Sequence, residues 1–128
     1  MPDSVAGDRT ATPNLNMIPL STHGGHPLIT CHLRYVLDPR KLQEFEHYGK
    51  RWISLVNRFG GTHHGYLLPS EGANNIGLAS FTFPSLSAYE EYRRQSFDDV
   101  ECQAAFKYAE DTGCILSYER SFFRPVFA

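Results

Sequence analysis

Regular alternation of apolar and polar positions begins at Leu28. Over Leu28–Leu37 (LITCHLRYVL), Ile29, Cys31, Leu33, Tyr35 and Leu37 fall on one face and Thr30, His32, Arg34 and Val36 on the other, which is the period of a strand. Asp38-Pro39 then opens a helix, with Asp38 as N-cap and Pro39 at the first helical position, where its missing N–H costs nothing. The helix is expected to run to about Phe59, because Leu42, Phe45, Gly49, Trp52, Val56 and Phe59 recur at steps of three and four. Gly60-Gly61 ends it by supplying a left-handed residue. Thr62–Leu68 reads as a second strand, 69–74 as a turn-rich loop and Asn75–Phe83 as a third strand, so the pair forms a hairpin. Two helical pieces follow. Leu86–Phe97 carries Leu86, Tyr89 and Arg93 on one side, and about Asp99–Asp111 carries Cys102, Ala105, Phe106 and Ala109 and is stopped by Gly113. Ile115–Arg124 is the last strand, closed by Pro125.

This order makes the chain an α+β protein with a ferredoxin-like βαββαβ arrangement. The expected sheet has four antiparallel strands in the order 4-1-3-2, with the helices on one face. The other face needs a cover. Large apolar groups occupy both parities of the third and fourth strands, with Ile76 and Leu78 against Phe81 and Phe83, and Phe123 against Phe122. Too little chain remains to cover such a sheet twice, so a second copy is the expected cover.

Residues 1–27 read differently. They hold half of the eight prolines and no apolar periodicity, which predicts an irregular N-terminal tail ahead of a domain spanning 28–128, draped on it through Leu15, Met17, Ile18 and Leu20. With 128 residues there is room for one core only. A net charge of -2 with no basic run argues against nucleic-acid binding. Cys31, Cys102 and Cys114 are odd in number and lack a C-x-x-C spacing, so they are expected to be small buried hydrophobes in a reducing compartment rather than disulfide partners. No apolar run is long enough to span a membrane and the start lacks a secretory pattern, so cytoplasm is the expected location.

Three stretches carry a resemblance: RYVLDPRKLQEFE (Arg34 to Glu46), GGTHHGYLLPSEG (Gly60 to Gly72) and ERSFFRPV (Glu119 to Val126). Over about residues 29–126 the chain resembles the NIPSNAP family. The resemblance implies a ferredoxin-like protomer and a homodimeric barrel. It implies no settled catalytic residues. The wider barrel group includes cofactor-independent monooxygenases, haem proteins and isomerases, so fold alone does not name the reaction.

Candidate chemistry rests on a short list of residues. His63 and His64 are adjacent in a strand and point to opposite faces, so they cannot chelate one metal together. One is expected to share a face with Gly65 and Leu67, the other with Tyr66 and Leu68. Each is either a hydrogen-bonded structural residue or an acid–base group near neutrality. His32 and Arg34 share a face of the first strand. Arg34 is placed either to bind an anion in a pocket or to pair across strands with Glu119. Trp52 and Tyr66 are either core or the lining of a pocket between helix and sheet. Glu71 either caps a pocket mouth or shapes a turn.

His23-Gly24-Gly25-His26 offers two ligands, too few for a structural zinc site. No nucleotide-loop, zinc-peptidase or serine-hydrolase motif occurs. The expectation is therefore a homodimer binding a small, partly apolar molecule between helices and sheet. It would need no cofactor, and its chemistry would be of the cofactor-independent proton-transfer or monooxygenase type, with one His as base and Arg34 stabilising an anion. The rival from a different class is a non-enzymatic dimeric scaffold. Haem ligation by His63 or His64 is a further alternative that the barrel resemblance raises.

Overall fold

The computed structural model describes residues 28–127. The tail read for residues 1–27, with its apolar positions and its His23–His26 pair, lies outside the described residues. The elements are β1 (Ile29–Leu37), a short 3-10 turn (Pro39–Lys41), α1 (Leu42–Arg58), β2 (Thr62–Leu67), β3 (Ile76–Phe83), α2 (Leu86–Ser96), α3 (Val100–Thr112) and β4 (Ile115–Phe123). The strands are all antiparallel in the order β2-β3-β1-β4, which is the expected 4-1-3-2 read from the other edge.

Local signals act at the ends of the two later helices. Ser85 accepts from Ala88 N–H and caps α2, while Asp99 accepts from Cys102 N–H and caps α3. Gly113, at φ 65°, takes the left-handed position that ends α3. The start of α1 differs from expectation. Asp38 accepts from Arg40 N–H and so caps the 3-10 turn; Lys41, the last residue of that turn, stands at the N-cap position of α1 with φ -127° and ψ 36°. Proline fixes the first turn, but the tight three-residue geometry must relax before the wider α-helix can begin.

The core lies between the helices and one face of the sheet. Ile29, Cys31, Leu33, Tyr35 and Leu37 supply the β1 side, and Ala79, Phe81 and Phe83 the β3 side. Phe45, Tyr48, Trp52, Leu55 and Val56 come down from α1 to meet them. Gly49 brings α1 close to β2, since a Cβ there would stand 2.9 Å from the Tyr66 ring. The three cysteines are buried thiols outside any disulfide, as expected; burial pushes the Cys102 thiol up to about 12 and raises that of Cys114.

One departure reassigns side chains. The β2–β3 register shifts between His63 and Tyr66, with Gly65 at φ 97°. His63 is opposite Phe81 and Tyr66 is opposite Ala79, both helix-side positions, whereas Leu67 is opposite Leu78 on the other face. The expected grouping of one His with Leu67 and the other with Tyr66 and Leu68 is therefore exchanged. His63 shares its face with Tyr66, and His64 shares the open face with Leu67. The extra residue of a bulge inverts the alternation beyond it.

Candidate functional site

The helix-side interior collects Trp52, Tyr66 and His63 from the residues singled out in the sequence. Trp52 is 3% exposed, and its ring lies 5.0 Å from that of Phe106 on α3. The His63 ring stacks on Tyr66 at 5.1 Å and lies 5.5 Å from Phe81. A small cavity of about 10 Å³ lies there, lined in part by Leu33, Trp52, Tyr66, Phe81, Tyr92 and Phe106. That is room for about one water.

His63 is held in a defined state. Its Nδ1 accepts a 2.9 Å hydrogen bond from Gly65 N–H across the bulge. Burial, with a smaller contribution from neighbouring His64, pushes its pKa down to about 4, so the ring is neutral at pH 7. With Nδ1 accepting, the ring proton sits on Nε2, which is therefore a donor rather than a base. That Nε2 and the Trp52 Nε1 are both buried without a hydrogen-bond partner among the described residues.

Two interior residues carry charge that sequence reasoning did not assign to the site. Arg93 on α2 and Arg120 on β4 are each 8% exposed, and both line the cavity with Tyr89 and Ser96. Arg93 Nη1 donates to Tyr89 Oη at 3.0 Å, and Ser96 Oγ donates to the Arg93 carbonyl at 2.8 Å. Burial raises the Tyr89 pKa, against the smaller lowering effects of Arg120 and Arg93, and keeps the phenol protonated. A signal was present in the alternation, because Arg120 stands between Tyr118 and Phe122 on the helix-side parity of β4. Arg93 lies on the inward stripe of α2 with Leu86 and Tyr89.

The remaining candidates lie elsewhere. His32, Arg34, His64 and Glu119 are on the open face, with the sheet between them and the cavity. His64 Nε2 is 2.7 Å from Thr82 Oγ1, which is 2.7 Å from Thr30 Oγ1. His32 meets Phe123 edge-on at 6.0 Å. Arg34 stands directly opposite Glu119 in the β1–β4 register. Apolar Leu67, 66% exposed, and Phe123, 54% exposed, share this face. Glu71 is exposed in the β2–β3 loop beside Gly72, whose φ is 97°. A larger and more open depression of about 580 Å³ between α1 and α3 is lined by Arg51 and Arg58 among others, and Arg58 is engaged there by Asp99, at 2.8 Å, and by Glu101. Among the described residues, no three His, Cys, Asp or Glu side chains gather as a metal-ligating group, and no helix is long and apolar enough to cross a membrane.

Comparison with known proteins agrees with this architecture. A NIPSNAP family protein from Agrobacterium tumefaciens superposes with a TM-score of 0.68 at 21% identity, over 84% of this chain and 93% of that one. A NIPSNAP-like domain protein from Burkholderia xenovorans gives 0.66 at 19% identity, over 79% and 87%. SnoaB from Streptomyces nogalater, described as a cofactor-independent oxygenase, gives 0.58 at 13% identity, over 80% and 96%. At these identities the likeness is one of fold. No curated protein matches the chain. The NIPSNAP family model matches residues 32–127, covering every helix and, but for the first three residues of β1, every strand, and the chain belongs to the NIPSNAP family.

Proposed function

We propose that two copies of the chain pair through the open sheet face, and that each protomer holds a small, partly apolar molecule between its helices and its sheet. The observation that carries the reading is Trp52. Its indole N–H is buried, has no acceptor among the described residues, and sits in a wall of aromatic rings. Buried indoles usually find a partner, and an unmet buried donor costs about 1–3 kcal/mol. A ligand that brings an acceptor to Trp52 recovers that cost, while the surrounding rings receive its apolar body. Exposed Leu67 and Phe123 support the pairing, because a second copy laid on that face removes them from water.

The chemistry that suits this interior is cofactor-independent proton transfer or oxygenation, the second being the class of the Streptomyces fold neighbour. His63 stacks against Tyr66 and lies beside Phe81, does not itself line the cavity, and would act only as a hydrogen-bond donor through Nε2–H. His32, His64, Arg34 and Glu119 would belong to the dimer contact, and no role follows for Glu71. A non-enzymatic dimeric scaffold is the second reading. It is favoured by the volume of about 10 Å³, well short of the roughly 300–1,000 Å³ of ordinary ligand sites, so binding requires the lining rings to move apart.

Native mass spectrometry of the purified chain, before and after mild denaturation, tests both. A dimer that releases a bound small molecule is the expected result. An empty dimer favours the scaffold, and a monomer overturns the pairing through the open face.

A further inference from the structure

The open face of the sheet is poor in fixed charge. Its strand positions carry threonines, serines, two histidines and apolar side chains, with one guanidinium, Arg34, and one carboxylate, Glu119. Both are exposed and stand directly opposite each other on β1 and β4. Neither makes an ion pair among the described residues, so each is available to a group from outside the protomer. On the other side of Arg34 at the same level come Leu78 and then Leu67. The two charges therefore have an apolar flank that excludes water once the face is covered.

A closed pairing of two copies lays this face on its own image, so the face must complement itself. One cation beside one anion does so. A two-fold axis along the strands, between the two residues, sets each charge over its opposite. An axis across the strands at this level sets guanidinium over guanidinium and carboxylate over carboxylate. Like charges so placed are repelled, and a charge taken from water with no partner is costly. Packed sheets lie about 10 Å apart and neighbouring strands about 4.8 Å apart. Two long side chains, one from each sheet, bridge that gap even with a sideways step between strands.

We propose that Arg34 pairs with the partner's Glu119, twice across the two-fold axis, and that this reciprocal pair determines how the two copies are laid on one another. This rests on the pairing through the open face and adds the residues that give it specificity. The guanidinium fork suits a carboxylate in particular, because it binds both oxygens at once.

The test is charge reversal in the full chain, read by sedimentation equilibrium and native mass spectrometry, with circular dichroism to check the fold. Arg34→Glu and Glu119→Arg, each alone, bring like charges together across the contact. Each is expected to raise the dimer dissociation constant about a hundredfold or more. An equal mixture of the two variants sets an acidic face against a basic one. It is expected to form mixed dimers within about tenfold of the original affinity. Carrying both reversals in one chain keeps the charge balance of each protomer, so this form decides the matter even where a single variant fails to fold. It is expected to pair with itself and to refuse isotopically labelled unaltered protein. Single variants that dimerise as tightly as the original, or free exchange between the doubly reversed and unaltered chains, overturn the proposal. Phe123→Arg then separates the two readings. Loss of the dimer in that variant keeps the pairing through the open face and removes only the reciprocal pair, while a monomeric unaltered protein removes both.

Discussion

Acidification should destabilise this domain through one histidine. In the folded chain His63 has its pKa pushed down from the ordinary 6.5 to about 4, first by burial against Tyr66 and Phe81 and then by neighbouring His64. Between these two values the unfolded chain takes up a proton at residue 63 that the folded chain refuses. Stability therefore falls as the pH falls through that window and returns as the pH rises above the unfolded value. At 1.36 kcal/mol per pKa unit, the full gap is worth about 3 kcal/mol, and about 2 kcal/mol once partial solvent access to a half-buried ring is allowed for.

The assay is urea unfolding at a series of pH values from neutral to about 4.5, with His63→Phe as the comparison. Phenylalanine keeps the stack on Tyr66 but has nothing to titrate. It also deprives Gly65 N–H of its acceptor, so the variant starts less stable by about 1 kcal/mol at every pH. What matters is the slope. The unaltered protein should lose about 2 kcal/mol more than the variant between pH 7 and about 4.5. Parallel pH profiles would refute the assignment of His63 as a buried neutral ring. A variant that loses more than the unaltered protein would reverse the sign of the argument.

Gly77→Ala places a Cβ 2.8 Å from Phe45 and 3.1 Å from Leu37, both fully buried, and is expected to cost about 1–3 kcal/mol, read as a drop in Tm of roughly 5–15 °C. Asp99→Ala removes the cap of α3 and a partner of Arg58, at an expected cost of about 1 kcal/mol in chemical denaturation, whereas Asp99→Asn keeps the capping oxygen and should recover most of it. Phe123→Arg lies on the open face, so it is expected to leave the folded protomer within about 0.5 kcal/mol of the original while converting dimer to monomer in size-exclusion chromatography. An unchanged elution volume would place the interface elsewhere.

Much of the architecture was legible because it is local. Strand alternation, the helical stripe of α1 and the glycines after α1 and α3 each act over a few residues, and together they leave the split βαβ order as the economical arrangement. The parity of β1 followed as well, since one apolar face fixes which side chains point to the helices. The candidate site was less legible. His63, Trp52 and Tyr66 could be listed from residue type, but an unbroken alternation puts Tyr66 with His64. Gly65 inside a strand pattern was the cue to a bulge, although a lone glycine also fits a plain strand.

Arg93 and Arg120 show the same limit. An arginine in a sequence reads as surface, because charged side chains are mostly exposed. By itself, then, the sequence determined the elements, their order and the face each strand residue takes up to the first irregularity. Only the tertiary structure decided which side the residues beyond the bulge occupy, how little room is left between helices and sheet, and that two arginines from distant segments meet at one cavity. Those facts depend on pairing register and on packing among segments far apart in the chain, where a shift of one residue exchanges buried for exposed.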